Sequence, residues 1–479
     1  MSVGRWPSVS LGEICEIVSG ITKDSKKQGD DYREVPYLRV ANVQRLQLDL
    51  SEVKTIPAKE SAINTYRLEP GDILLNEGGD RDKLGRGWIW QGQIDECIHQ
   101  NHVFRARIRC GKAIPKWIAY YANTNEARVY FLKTGKQTTN LASISKKNLG
   151  ALPIPLPPIK VQESIVAEID TQISRLDETV TNLQGIQTKL KQARASILKA
   201  AVEGRLVETE AALARQSGRY YEDAEELFER VTLEAATQLP ERRKRKGSPA
   251  SIKPDIDAEP PEPPEGWTWV RMQDIAQLIR NGYSGKPTEM GPVPILRISS
   301  VRVMSVDPSD TRTLEGEIHD YEKSIASKGC LLITRYNGNP DLVGVMGLLR
   351  SPDPVVHPDK LIRVEIDLPC IDNEWVEIAF NTGITRNLLR QRVRTTAGQA
   401  GISGQDVKQM PIPIPPIREQ HRIVAEVQRR LSVLDQVEAT VIASLRRCSL
   451  LRQAILKRAF EGRLVPAPPE PTDAPTMPN

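Results

Sequence analysis

The sequence predicts a mixed α/β protein that is internally duplicated, with two α/β heads separated by two long antiparallel coiled-coil helices. Three observations carry that expectation. The segment PIPLPPIKVQESIVAEI begins at Pro153 and PIPIPPIREQHRIVAEV at Pro411, 258 residues on (411 − 153). The match runs without a gap to EGRLV at Glu203 and again at Glu461, and self-similarity of that length marks a duplication. Upstream, at nearly the same offset, VPYLRVANV from Val35 answers VPILRISSV from Val293, DILLN after Gly71 answers CLLIT after Gly329, and Trp6-x-x-Val9 answers Trp267-x-x-Val270.

The elements follow in chain order. Residues 1–150 form the first head, with strands expected at Val35–Val43, Ile73–Leu75 and Val103–Ile108 and a helix over Pro115–Phe131. Residues 151–207 form the first spacer. Pro157-Pro158 stiffens its start, no proline follows until after Val207, and Gly204 supplies a stop, so a helix runs from Ile159 to Glu203. Residues 208–264 connect the repeats: an amphipathic helix over Ser217–Gln238, the basic run Arg242–Lys246, and a proline-rich linker over Pro254–Pro264. The second head, 265–408, repeats the strand pattern at Ile295–Val301, Leu331–Thr334 and Leu361–Ile366, with a counterpart helix over Trp375–Asn381. The second spacer helix occupies 409–465, and the tail 466–479 is expected to be disordered.

Apolar residues recur every seven positions along both spacers: Ile169, Leu176, Leu183, Leu190 and Ile197 in the first, Val427, Leu434, Val441, Cys448 and Ile455 in the second. A heptad stripe is a coiled-coil seam, and its natural partner is the other stripe. The bland alternative is that each helix packs only on its own head. Because the first helix leaves the first head and the second leaves the second, pairing them lays them antiparallel and relates the units by a pseudo-two-fold axis. At about 1.5 Å per residue such a rod reaches on the order of 65 Å. Two related heads held inverted at a fixed separation suit a ligand with inverted halves, which is the logic of dimeric DNA readers.

Composition bounds the reading. The 479 residues are 39% hydrophobic and 27% charged, with 66 basic against 61 acidic residues. That mild excess permits a nucleic-acid partner without requiring one, so any footprint must be local. No apolar run approaches a membrane span and the N-terminus lacks a signal-peptide core, so a cytoplasmic protein is expected. The six cysteines show no paired spacing, as in a reducing compartment.

The doubled Pro-x-Pro-x-Pro-Pro-x-x-x-Gln motif with Ile-Val-Ala-Glu behind it, closing each head and opening a long helix that ends in EGRLV, resembles the specificity subunit of type I restriction-modification systems. The resemblance covers nearly the whole chain. It implies that each head is a target recognition domain reading one half of a bipartite, asymmetric DNA site, and that the helices set the unread gap. It implies no catalytic activity and no bound cofactor. The implied partners are double-stranded DNA, two modification (methyltransferase) subunits, and through them two restriction (endonuclease and translocase) subunits. The partners would use S-adenosylmethionine, and ATP with magnesium for restriction.

The residues agree chiefly through what they lack. No Asn-Pro-Pro or Asp-Pro-Pro is present to hold a flipped adenine, and Gly282–Pro287 is too short for a phosphate-cradling loop. Cys97, His99, His102 and Cys110 fit no common zinc spacing, and Asp72, Glu77, Asp80, Asp82 and Lys83 lack a nuclease arrangement, so no metal site is expected. A methylating enzyme complete in itself is thereby disfavoured. A scaffold whose heads bind proteins is the remaining alternative.

Direct readout needs Arg or Lys for guanine, Asn or Gln for adenine, and hydroxyl or amide groups for the backbone, presented on loops. In the first head the candidates are Arg39, Asn42 and Gln44, then Arg81, Lys83 and Arg86, then Lys136, Gln137, Thr138, Thr139 and Asn140. In the second they are Arg297, Ser299, Ser300 and Arg302, then Arg335, Tyr336 and Asn337, then Lys360, then Thr395, Thr396, Gln399 and Gly401.

Overall fold

The computed structural model describes residues 6–22, 31–137, 142–238, 260–396 and 398–465; the basic run 242–246 and the tail from 466 lie outside them, as does most of the proline-rich linker. The chain divides into two compact units, one of residues 1–186 with 440–479, the other of residues 187–439. Each unit is an α/β head plus a stretch of both long helices.

In the first unit a four-stranded antiparallel sheet runs in the order Cys15–Ser19, Val103–Ile108, Ile73–Asn76, Gly87–Ile89. Ile73, Leu74 and Leu75 are all fully buried, because helices cover one face and a second sheet backs the other. That second sheet pairs Tyr32–Leu38 with Lys54–Lys59 and with Ile98–His99. The second unit repeats the plan: Leu278–Asn281, Leu361–Glu365, Leu331–Thr334 and Met346–Leu348 form its antiparallel sheet, and a further sheet is built on Val293–Leu296.

Several elements differ from expectation. The helix over Pro115–Phe131 is two, Pro115–Ala122 and Asn125–Thr134. Asn123 between them donates its amide to the carbonyls of Gly87 and Ala119, and the Thr124 hydroxyl caps the second helix by accepting from the Ala127 amide. The strands Val35–Val43 and Ile295–Val301 stop at Leu38 and Leu296. There the Asn42 amide donates to the Arg39 carbonyl, and the Ser300 amide and hydroxyl donate to the Arg297 carbonyl, which turns the chain. The amphipathic segment after Ser217 is helical only from Ala224 to Gln238, because Gly218, in the left-handed region at φ 62°, ends a separate helix over Glu210–Ser217.

The doubled motif turns out to be a junction. Ser8–Ser10 pairs antiparallel with Pro153–Pro155, and Thr268–Arg271 with Pro411–Ile414, which explains why the Trp-x-x-Val and Pro-Ile-Pro signals repeat together. Gln162 is wholly buried at the start of its helix; its amide donates to the carbonyls of Lys112 (2.9 Å) and Pro157 (2.8 Å), and its oxygen accepts from the Ile114 amide at 3.0 Å. Gln420 repeats each bond, to Cys370 (2.9 Å), Pro415 (2.8 Å) and the Asp372 amide (2.8 Å). Trp117 and Trp375 likewise donate their indole N–H to the carbonyls of Pro155 and Pro413.

The long helices span Ile159–Val202 and Ile417–Phe460, 44 residues each. Within the first unit Asp177 pairs with Arg452, and Ile165, Ile169 and Ile173 share a core with Leu456, Ala459 and Phe460, so the two stretches run antiparallel. Within the second, Arg194 reaches Asp435 at 2.7 Å and Glu438 at 3.1 Å, while Leu198 and Ala201 pack with Ile423, Val424 and Val427, again antiparallel. Of the seam residues, Ile169, Leu190, Val427, Val441 and Cys448 are buried, and Leu176, Leu183, Ile197, Leu434 and Ile455 half-buried. Among the described residues no helix is long and apolar enough to cross a membrane.

Candidate nucleic-acid interface

The polar loops are gathered by one small sheet in each head. In the first, Gly78–Gly79 pairs with Ala142–Ser143, which pairs with Lys136–Gln137. The chain leaving Gly79 carries Arg81, Lys83 and Arg86, so two of the three predicted loop groups come together. Thr138, Thr139 and Asn140 lie outside the described residues. The second head repeats the arrangement: Gln399–Gly401 sits between Tyr336–Asn337 and Arg394–Thr396. Arg335 joins it by donating its backbone amide to the Lys360 carbonyl, so Lys360 belongs to the same cluster.

Within these clusters the side chains differ in how far they are committed. Arg81, Lys136, Lys360, Thr395 and Gln399 are exposed. The Lys83 ammonium is paired with Asp80, whose carboxyl it holds below the usual range by hydrogen bonding. The Arg335 guanidinium lies over the Tyr336 ring, 4.6 Å from its centroid, a stacked pair that presents a flat polar face. Gly401 backs that ring: a Cβ there would stand 2.3 Å from it, so glycine is what lets Tyr336 lie flat.

The remaining loop group is divided. Asn42 is only 3% exposed, with its amide donating to the carbonyls of Asp49 and Glu52 and its oxygen accepting from the Arg39 amide. Ser300, 1% exposed, does the equivalent work in the second head. Both order their loops from within, and neither presents a free polar edge. Arg39 pairs with Glu52 at 3.6 Å, the Gln44 amide donates to the Ala41 carbonyl, and Ser299 bonds to Asp310, which Arg297 also approaches at 3.7 Å. Arg302 is exposed, with a bond to the Val301 carbonyl.

The metal-capable side chains do not assemble. His99 is buried, donating Nδ1–H to the Val103 carbonyl at 2.7 Å, whereas exposed His102 faces Glu77 at 2.9 Å. Burial pushes the Cys97 thiol up to about 12, so it stays protonated. No group of three or more His, Cys, Asp or Glu among the described residues could hold a metal ion.

Comparison with known proteins bears directly on these duplicated heads. The family model described as "Type I restriction modification DNA specificity domain" matches residues 4–192. Along nearly its full length the chain is 29% identical to the EcoKI specificity subunit of Escherichia coli K12, covering 97% of this chain and 91% of that one. The chain is thus similar, over nearly its whole length, to type I specificity subunits. It is also 24% identical to the StySPI specificity subunit of Salmonella potsdam, over 96% of this chain and 89% of the relative. A chain from a solved structure concerned with assembly and conformational transition of the type I R-M system shares its fold, with a TM-score of 0.59 at 17% identity and coverage of 97% and 99%.

Two basic residues of the first head escaped the sequence reading. Arg45 and Arg128 stand with Arg86 around one cavity. Arg45 sits next to Gln44 and could have been included on that ground; Arg128 lies on a helix, where a charged residue reads as a solvated face.

Proposed function

We propose that this chain is the DNA-reading subunit of a type I restriction-modification complex, with each head reading one half of a bipartite, asymmetric site. The observation that carries the proposal is the duplicated small sheet. One scaffold presents Lys136, with Arg81 on the chain leaving Gly79, in one head and Tyr336, Asn337, Thr395 and Gln399 in the other. A shared frame with changed side chains is what two readers of different half-sites require. On this reading residues 1–150 and 265–408 are the recognition domains, 151–207 and 409–465 the spacer helices, and 208–264 the connection. The chain binds no cofactor of its own. Two modification subunits supply S-adenosylmethionine chemistry, and two restriction subunits, joined through them, supply ATP- and magnesium-dependent cleavage, in the bacterial cytoplasm.

The long helices set the unread gap and dock the modification subunits. Support for docking comes from apolar side chains left in water along them: Ile442, Leu450 and Leu451 in the first unit, the second of these 72% exposed, and Val433 and Val437 in the second unit.

The test is a single-molecule methylation map of DNA from cells expressing this chain with its modification subunit, compared with the modification subunit alone. An adenine-methylated motif of two short specified halves and a fixed gap, appearing only with this chain, is expected. Exchange of residues 265–408 for another such domain should then change one half only. A folded, associated pair that produces no motif overturns the proposal.

A further inference from the structure

The first head contains a cavity of about 330 Å³ lined by Gln44, Arg45, Gln47, Asp82, Arg86 and Arg128. Three guanidiniums face one carboxylate, so the lining carries a net charge of +2. Arg45 is held at the wall by donating to the carbonyls of Asn123 (3.4 Å) and Asp82 (3.3 Å), and Arg86 by its Nε donating to the Val43 carbonyl at 3.2 Å. These bonds anchor to neutral carbonyls, and the carboxylate of Asp82, with Asp80 acting on Arg86, offsets only part of the positive charge. Burial, together with the nearby charges of Arg128 and Arg86, pushes the Arg45 guanidinium below its ordinary range. Like charges crowded at a cavity wall without a matching number of carboxylates are an electrostatic cost that an incoming anion removes.

The second head repeats these turns with a different set of side chains. Leu46 and Met304 are matched turn residues with φ 61° and 58°, which aligns Arg45 with Val303. Gly85 and Gly344 are matched too, at φ 62° and 71°, where an added Cβ would strike Phe131 and Leu389 respectively; this aligns Arg86 with buried Val345. Arg128, four residues past the helix cap Thr124, corresponds to Arg386, four past Thr382. Arg386 is instead buried and donates to the carbonyls of Val343 (2.8 Å) and Asp341 (2.7 Å). The turns are repeated, and two of the three arginines that line the cavity of the first head are valines in the second.

We propose that this cavity is a phosphodiester seat, by which the first head grips the DNA backbone independently of sequence. Arginine forks match phosphate oxygens bidentately, and net +2 charge suits one or two singly charged phosphodiesters. The seat lies beside Gln44 and within the loop that carries Arg81 and Lys83, so a phosphate held there sets the register of those side chains against base edges. This deepens the DNA-reading proposal and rests on it.

The test measures binding of a fluorescent mixed-sequence duplex to the full chain from about 50 to 200 mM salt. The variants are Arg128→Gln and Arg45→Gln, with Arg109→Gln as a surface control and thermal melting to establish folding. Each seat variant should lower the slope of log K against log salt by about 0.9, while the control leaves it unchanged. Seat variants expressed with the modification subunit should methylate the unaltered motif, less completely. A relaxed base in that motif would make the arginine a base reader and overturn the seat. An unmoved slope, or an equal drop in the control, overturns it as well. If ADP or inorganic phosphate binds with a lower Kd than duplex, and Arg128→Gln abolishes that binding while the duplex slope stands, the ligand is a free phosphate and the backbone assignment fails. Wild-type chain that binds duplex without salt dependence overturns the DNA-reading proposal itself.

Discussion

Gln420→Met tests whether the doubled motif is a structural junction. The Gln420 carboxamide meets three buried backbone groups: it accepts from the Asp372 amide and donates to the carbonyls of Cys370 and Pro415. Methionine keeps the length and volume of the side chain and can form none of these bonds. Each buried group left without a partner costs about 1–3 kcal/mol, and three neighbours sharing one relaxation should together cost on the order of 4 kcal/mol. Urea unfolding followed by circular dichroism reads the total, and hydrogen exchange at the Asp372 amide localises it to the second head. Gln162→Met should produce the same loss in the first head, since it makes the corresponding three bonds to Ile114, Lys112 and Pro157. A loss under about 1 kcal/mol for both variants, with the Asp372 amide still protected, would refute the junction.

Acid should weaken both heads through matched histidines. Burial pushes His99 and His357 down to about 4; between there and the ordinary value near 6.5 the unfolded chain binds more protons. Stability is therefore complete above about pH 6.5 and falls toward pH 4 by roughly 3 kcal/mol for each histidine, read as the urea midpoint against pH. A flat midpoint over that range contradicts this. Gly85→Ala should destabilise the first head by at least about 2 kcal/mol, because its φ is +62° and a Cβ would lie 2.1 Å from the Phe131 ring; thermal denaturation measures it. Asn42→Ala should lower stability, whereas Arg81→Ala should leave the melting temperature unchanged and weaken DNA binding, because Asn42 is bonded inward and Arg81 is exposed. Leu450→Asp should reduce co-purification of the modification subunit without changing duplex affinity of the chain alone; equal recovery of the complex would remove that helix face from the docking surface.

Much of this protein was legible in one dimension because its strongest signals are periodic. An offset of 258 residues announced the duplication, and uninterrupted heptads between proline and glycine announced the first long helix to within a residue, whereas the second, expected over 409–465, spans Ile417–Phe460 because Pro411–Ile414 is drawn into a strand. Strands such as Val103–Ile108 and Leu331–Thr334 were readable from their apolar runs. What the sequence could not supply is which polar side chain faces inward. Asn42 and Gln44 are two residues apart and chemically alike, yet one is buried beneath its own loop and the other lines a cavity. The break at Asn123 had the same origin, since the bond to the Gly87 carbonyl comes from a strand 36 residues away. The three arginines around the cavity arrive from a turn, a loop and a helix, and their proximity exists only once the sheet has folded. Periodicity is a property of neighbours along the chain and survives in the sequence. Partnership between distant polar groups depends on packing, and only the tertiary structure decided it.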